Sequence, residues 1–464
     1  MIANSVMSSA SSGQFLDRLG SPTGKELSPG AVISGLGIVT PLGVDRGEFY
    51  AGLRSGRCYL QKEAALGALA LNESVGAARR QQLGERATAG RWAARLGEFG
   101  AAAAIDAGRR RRMPRLAQLA VVAARQALAA APAAQGVVER YGSERVAVVF
   151  GTGLGTLELT MEFETGYLKG GLAAASPALF PYTVMNTAAA IVAMELQLLG
   201  GNITVNHRDL SVHEAVATAV DLLAMDRADA VLCGGGDELG PWLQHGLERL
   251  AGSAAGAADE QPPLRPYDRQ RRGLSLGEGA VMLLIERAAG ARSRGARPLA
   301  TLSGVARAGD QRPRLGWPAA GDPATTAGAA QAIRLGLQAA GLLPASLDFI
   351  VGSGNGTALD GLETQALRQA LGSAAEKVPI ASVLGQCGEW LTSAGARLGA
   401  ALYALQEQAL PGTTLCRDPD PQAALPGLVL TPRPATAPLR HVLVPALAQG
   451  GGNASLILSH PEAA

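Results

Sequence analysis

Short apolar runs that end in glycine alternate along this chain with longer segments whose apolar residues recur at helical spacing. "AVISGLGIV" (31–39) reads as a strand and turn. "PRLAQLAVVAARQALAAA" (114–131) reads as a helix with Pro114 at its first position. "RVAVVFGTGLGT" (145–156), "ADAVLCGGGDEL" (228–239) and "EGAVMLLIE" (278–286) are further strands, the first two running into glycine turns. After the polar "RAAGARSRGARP" the same grammar restarts with "PLATLSGVARAG" (298–309). "LDFIVGSGNGTALDGLET" (347–364) then echoes 228–239, and "NASLILS" (453–459) closes the chain as a strand. Strands alternating with helices predict an α/β fold. The repeated grammar predicts a duplicated one, with halves 31–290 and 291–464 after a tail, 1–30, rich in Ser and Gly. "AGSAAGAADEQPP" (251–263) reads as an exposed loop.

Composition narrows the function classes. Apolar residues make up 47% of 464, enough for a large core without staples. The formal charge of +2, from 41 basic and 39 acidic residues, gives no general pull towards nucleic acid or membrane. Cys58, Cys233, Cys387 and Cys416 lie far apart with no C-x-x-C pair, which argues against a disulfide framework or a zinc site and fits a reducing cytoplasm. The N-terminus lacks a basic start and an apolar stretch, so no signal peptide is expected, and no apolar run approaches a membrane span. "GLGIVT" and "GTGLGT" start like dinucleotide motifs but carry Thr in place of the third glycine. "RRRRMPR" (109–115) is a basic run before a helix, either a solvated loop or a docking site for an acidic protein.

The richest stretch is "ITVNHRDLSVHEAVATAVDLL", Ile203 to Leu223: a strand, a sharp turn, then an Ala-rich helix. Such a turn places a side chain at a helix N-terminus, where backbone N–H groups and the dipole favour negative charge. The turn offers His207, Arg208, Asp209 and Ser211, and no cysteine. Asp209 suits a helix N-cap, worth roughly 0.5–2 kcal/mol. A Ser211–His207 pair beside Asp209 would instead suggest hydrolysis or acyl transfer, whereas Ser211 and His213 are two apart and face differently. Cys387 and Cys233 read as packing residues, and Glu278 as a structural carboxylate.

Several segments together resemble the β-ketoacyl synthase family of the thiolase fold, from residue 31 to 459. "VISGLGIVTPLG" is similar to its opening strand and turn, and "RRMPRLAQLAVVAARQAL" to the helix after its basic loop. "RPYDRQRRGLSLGEGAVMLLIE" resembles its R-P-F-D-x-x-R-D-G-F-x-x-G-E-G-A segment, and "GGGNASLIL" its last strand. The resemblance implies a five-layered αβαβα fold. It also implies condensation of acyl groups with malonyl units carried on the phosphopantetheine of an acyl carrier protein, with no other cofactor and no metal. That chemistry uses a cysteine at the helix N-terminus, two histidines and a lysine.

Carried over residue by residue, Asp209 takes the cysteine's place. Asn355, in "NGT", takes that of the first histidine in H-G-T. In "ASVLGQ", matched to K-S-x-x-G-H, Ala381 replaces the lysine and Gln386 the second histidine. Gln449 stands where an aromatic gate is expected, and His245, His441 and His460 match no catalytic position. A chain so changed resembles the chain-length factors of type II polyketide synthases, which keep the fold, lack the nucleophile and pair with an active ketosynthase. The resemblance implies that Ile203, Thr204, Val205 and Asn206 pair across the dimer, and that Arg109, Arg110, Arg111, Arg112 and Arg115 dock the carrier protein. The product class, whether polyketide, polyene or fatty acid, stays open, as does a homodimeric acyl-binding scaffold.

Overall fold

The computed structural model describes residues 30–63, 91–129, 135–243, 260–310 and 326–463. The tail 1–29, His245 and most of the 251–263 loop lie outside these residues.

Ten strands form one sheet. In chain order they are β1 (Ala31–Val39), β2 (Val146–Gly151), β3 (Asn202–Val205), β4 (Ala230–Asp237) and β5 (Gly279–Arg287), then β6 (Ala300–Gly309), β7 (Phe349–Val351), β8 (Ile380–Ala381), β9 (His441–Leu447) and β10 (Gly452–Ser459). Across the sheet the order is β8-β7-β9-β10-β6-β1-β5-β4-β2-β3. Each half therefore repeats one order, its third strand outermost and its first innermost, and the halves meet where β1 pairs antiparallel with β6 at Val32↔Thr301 and Ile33↔Ala300.

Seven helices place the layers: α1 (Arg115–Ala129), α2 (Leu157–Gly170), α3 (Thr187–Leu196), α4 (Ser211–Ala224), α5 (Ala327–Ala339), α6 (Leu359–Leu371) and α7 (Ala394–Glu407). Helix α1 begins just after Pro114 and turns Leu116, Leu119, Ala120, Ala123 and Ala127 onto the N-terminal half-sheet, beside α3. Helices α5 and α6 cover the C-terminal half-sheet through Ile333, Leu337, Leu367 and Leu371. Between the half-sheets lie α4 and α7, whose Val212, Val216, Leu398 and Leu402 share a core with Val149, Cys233, Val351 and Val444. This is the αβαβα arrangement.

The burial of α7 follows from its sequence. "AGARLGAALYAL" (394–405) is small or apolar on every side except at Arg397, and every residue from Ala394 to Leu405 is buried. A helix without a polar face has no stable place at a surface. Close approach also explains a glycine that ends β2: a Cβ on Gly151 would lie 2.5 Å from the carbonyl oxygen of Ser211 at the start of α4.

Candidate functional site

The site forms where the two central helices begin. Strand β3 ends at Val205, the chain turns through His207 and Arg208, and a short 3-10 turn, Arg208–Leu210, leads into α4. Arg208 holds φ 49°, a left-handed value that a side chain normally avoids and that marks a sharp, strained turn. The Ser211 hydroxyl stabilises the bend. It accepts the backbone N–H of His207 at 2.9 Å and donates to the carbonyl of Arg208 at 2.7 Å.

Facing this turn is the segment Gln449–Gly452 between β9 and β10. Gly450 and Gly451 have φ 94° and 91°, which reverses the chain tightly and presents the Gln449 amide. The two segments touch, since a Cβ on Gly452 would lie 2.7 Å from Leu210 Cδ1 and 3.2 Å from His207 Nε2. Burial pushes the Asp209 carboxyl up to about 6, while the nearby backbone N–H groups of Asp209 and Gln449 and the charges of Arg208 and Arg397 hold it from rising further.

From the opposite half comes Arg397. It is buried on α7, and its Nη1 donates to Ser353 Oγ at 2.9 Å and to the carbonyl of Pro445. Its Nε is sealed from solvent without a partner. Burial alone lowers the affinity of this guanidinium for its proton, while the charges of Glu363, Glu389 and Asp209 and the Tyr267 hydroxyl favour the charged form. The Glu389 carboxyl, with Oε2 unpartnered, is pushed up to about 8 by burial and then by Asp209. Glu363 accepts from Ser353 N at 2.7 Å, Ser353 Oγ at 2.8 Å and the Tyr267 hydroxyl at 2.5 Å. The charges of three acidic side chains, Glu363, Glu389 and Asp209, thus act on one buried guanidinium whose own hydrogen bonds go to Ser353 and Pro445.

Such a site holds charge but carries no nucleophile. The four cysteines are free, with Cys233, Cys387 and Cys416 buried, and burial pushes the Cys233 and Cys387 thiols up, away from reactivity. His213, at the end expected to face away from Ser211, is buried with Nε2 3.1 Å from the Val444 carbonyl, and burial lowers it to about 3, so it is neutral. Among the described residues no group of His, Cys, Asp and Glu is placed to hold a metal ion.

Models of the β-ketoacyl synthase N-terminal and C-terminal domains match residues 30–291 and 299–416. The chain belongs to the β-ketoacyl synthase family. It is 31% identical to nodulation protein E of Rhizobium sp. strain N33, over 92% of this chain and 98% of that protein. It is 28% identical to 3-oxoacyl-[acyl-carrier-protein] synthase 2 of Synechocystis sp., over 85% of this chain and 89% of that one. A chain of the ishigamide ketosynthase/chain length factor superposes with a TM-score of 0.79 at 25% identity, covering 93% of this chain and 99% of that one.

Within the family frame, the structure moves two of the four degenerate positions. Gln386 does not face Asp209: its Nε2 donates to the carbonyls of Gly52 and Arg57 at 3.2 and 3.4 Å. The residue beside Asp209 is Glu389, three positions on. "LGQCGE" (384–389) keeps only the glycine of K-S-x-x-G-H, at Gly388, where "ASVLGQ" keeps Ser382 and Gly385, but it is Glu389 and not Gln386 whose charge acts on the Asp209 centre. Ala381 is then an ordinary buried residue of β8, paired with Val351. Asn355 also serves locally, its Oδ1 accepting the N–H and hydroxyl of Thr357 at 3.2 and 2.6 Å, while Ser353 is the residue that meets Arg397.

Three further expectations change. Asp209 does not cap α4, which begins after Leu210 with no side-chain cap bond. Ser211 and His207 form no side-chain pair, for the hydroxyl is buried against backbone and the ring, 54% exposed, stands 3.9 Å from Glu214. The basic run divides. Arg115 grips the buried Glu278 at 2.8 and 3.0 Å, and Glu278 also accepts the amides of Leu96 and Leu239, which makes both residues architectural. Arg109 pairs with Glu195 at 3.1 Å, and Arg111 and Arg112 are exposed.

Sequence reasoning missed Arg397 altogether. Its signal was present: one charge in a helix with no polar face has to find buried partners.

Proposed function

We propose that this chain is a non-catalytic, chain-length-factor subunit that pairs with an active ketosynthase and helps shape its acyl tunnel, the acyl chains arriving on acyl carrier protein. One observation carries the reading. The position matched to the family's nucleophile is Asp209, a carboxylate at the turn before α4 with the buried Arg397 among the charges acting on it. A carboxylate held so is a poor acyl acceptor, and loss of the nucleophile from a cooperative site typically costs about 10⁴–10⁶ in rate.

The surface supports pairing. Strand β3 is the last strand of the sheet. The carbonyls of Gly201 and Val205 bond back to β2, so the backbone of Asn202 and Thr204 points outward by alternation. Met194 and Leu199 beside it are 75% and 68% exposed, and Leu168 and Leu172, around the end of α2, are 80% and 85% exposed. An open edge flanked by large apolar side chains suits a partner strand and its neighbours. The arginines of 109–112 suit an acidic carrier protein. No helix among the described residues is long and apolar enough to cross a membrane.

Co-expression with a ketosynthase bearing the cysteine and both histidines, plus malonyl-loaded carrier protein, tests the proposal. Condensation is expected only with both subunits, with the acyl adduct on the partner alone by intact mass. A covalent acyl adduct on this chain by itself, or full activity of the partner without it, would overturn the reading.

A further inference from the structure

We propose that a cleft at the end of the C-terminal half-sheet remote from the charged centre is a binding site for a small apolar monocarboxylate. Lys377 and Arg433 meet the carboxylate, and an aliphatic floor takes its body. The inference rests on this cleft alone and holds whether or not a ketosynthase partner exists.

Strands β7, β8 and β9 run parallel to one another along one edge of β7 and the other, and the cleft opens where all three begin. Asp348, Pro379 and Leu439 stand just ahead of them in the chain, whereas Ser353, which meets Arg397, follows β7 at its other end. The cleft measures about 330 Å³, at the lower end of the roughly 300–1,000 Å³ of small-molecule sites. That admits a metabolite of a few carbons and excludes an acyl chain on its carrier arm. Leu347, Val378, Leu410 and Leu439 are buried and form the floor. Pro344, Pro379 and Pro438 belong to the wall, and their fixed φ limits how far it can collapse.

Charge selects the ligand. The lining carries two cations, Lys377 and Arg433, and one acid, Asp348, which leaves a net charge of +1. Asp348 is already engaged, its Oδ2 accepting the N–H groups of Arg440 and His441 at 2.7 and 2.8 Å. Glu376, next to Lys377 in the chain, is taken by Arg368 at 2.9 Å. Among the described residues neither Lys377 nor Arg433 makes a hydrogen bond or ion pair through its side chain, and the hydroxyls of Ser373 and Thr436 in the same lining are equally unused. A lone surface cation is simply solvated, but an ammonium and a guanidinium that share a cleft with a buried aliphatic floor match an anion with an apolar body. The net charge of the lining matches one negative charge. A straight-chain carboxylate of about six carbons has that charge and a body of the size that the lower end of the range admits.

The test is a ligand-observed NMR titration of the full chain at neutral pH with sodium hexanoate, and with hexan-1-ol as the uncharged counterpart. Two variants accompany the wild type. Lys377→Gln with Arg433→Gln removes both charges, and Ala437→Trp fills the cleft from its exposed rim while keeping them. All three positions are exposed, so Tm should not change. Binding to the apolar surface beside β3 would survive these substitutions. The expected result is saturable binding of hexanoate with a Kd of about 1 mM, weakened at least about tenfold in each variant, and no saturable binding of hexanol. Equal affinity of wild type and either variant overturns the proposal. So does equal binding of hexanol, or no saturable binding of hexanoate to the wild type.

Discussion

Replacing Arg397 by methionine tests the charge logic of the centre most directly. The change keeps length and apolar bulk but removes the only cation that α7 brings to Asp209, Glu389 and Glu363. Removing one member of a buried ion cluster typically costs about 3–5 kcal/mol, because the remaining charges stay desolvated. It also frees Ser353 Oγ and the Pro445 carbonyl from their donor. With roughly 2.1 cal/mol/K of unfolding entropy per residue, a chain of 464 residues loses about 1 °C of Tm per kcal/mol, so a drop of about 3–5 °C is expected. The cost should depend on pH. Above about 8 both Asp209 and Glu389 are ionised and the missing cation is felt in full, whereas below about 6 both hold protons and the penalty shrinks. Thermal melts of wild type and Arg397→Met at pH 5.5 and pH 8.5 measure this difference. An equal loss at both pH values, or none at pH 8.5, would show that Arg397 is packing and not counter-charge.

Other expectations bear on separate parts of the molecule. Glu389 has its folded value raised to about 8, so its neutral form stabilises the protein at low pH and that contribution is lost as pH climbs from the ordinary carboxylate range through 8; Glu389→Gln should flatten this slope in melts. Asp209→Cys alone should not restore condensation, staying at or below about 10⁻⁴ of an active synthase in a carrier-protein assay, because Asn355 and Glu389 cannot do the work of two histidines. Thr204→Pro removes an outward N–H from β3 and should lower co-purification with the partner ketosynthase at least about tenfold, while Ser211→Ala leaves pairing and product unchanged. Arg111→Glu with Arg112→Glu should weaken carrier-protein binding without lowering Tm. Arg115→Met should do the reverse, costing about 2–3 kcal/mol, since it strands Glu278, 1% exposed, though Arg115 itself is 38% exposed.

The architecture was legible because periodicity reports it directly. "VAVVFG", "AVLCGGGD" and "GAVMLLIER" are apolar runs too short for helices, and they became β2, β4 and β5. The restart of the grammar after residue 290 mirrors a strand order that recurs in each half. The site was only half legible. Asp209 follows a strand and precedes a helix, so local pattern located it, and the amide of Gln449 could not be read because 240 residues separate them along the chain. Glu389 was missed for another reason. "SVLGQCGE" offers two glycines three apart, and a motif anchored on one glycine cannot choose between Gly385 and Gly388 without knowing which side chain turns inward. Ser211 looked like a nucleophile because hydroxyl chemistry is the same whether the group faces substrate or backbone.

The repeated strand order sets a rule for how this subunit can change. Asp209 stands before α4, in the first repeat, and its compensating cation stands on α7, in the second. Neither repeat is electrically complete without the other. A chimera that swaps in another first half would leave Arg397 with Glu389 and Glu363 but without Asp209, and one that swaps the second half would take Arg397 and Glu389 away from Asp209. A change at the centre of this molecule is therefore felt across the duplication, since a substitution at Asp209 in one repeat alters the charges that Arg397 and Glu389 meet from the other.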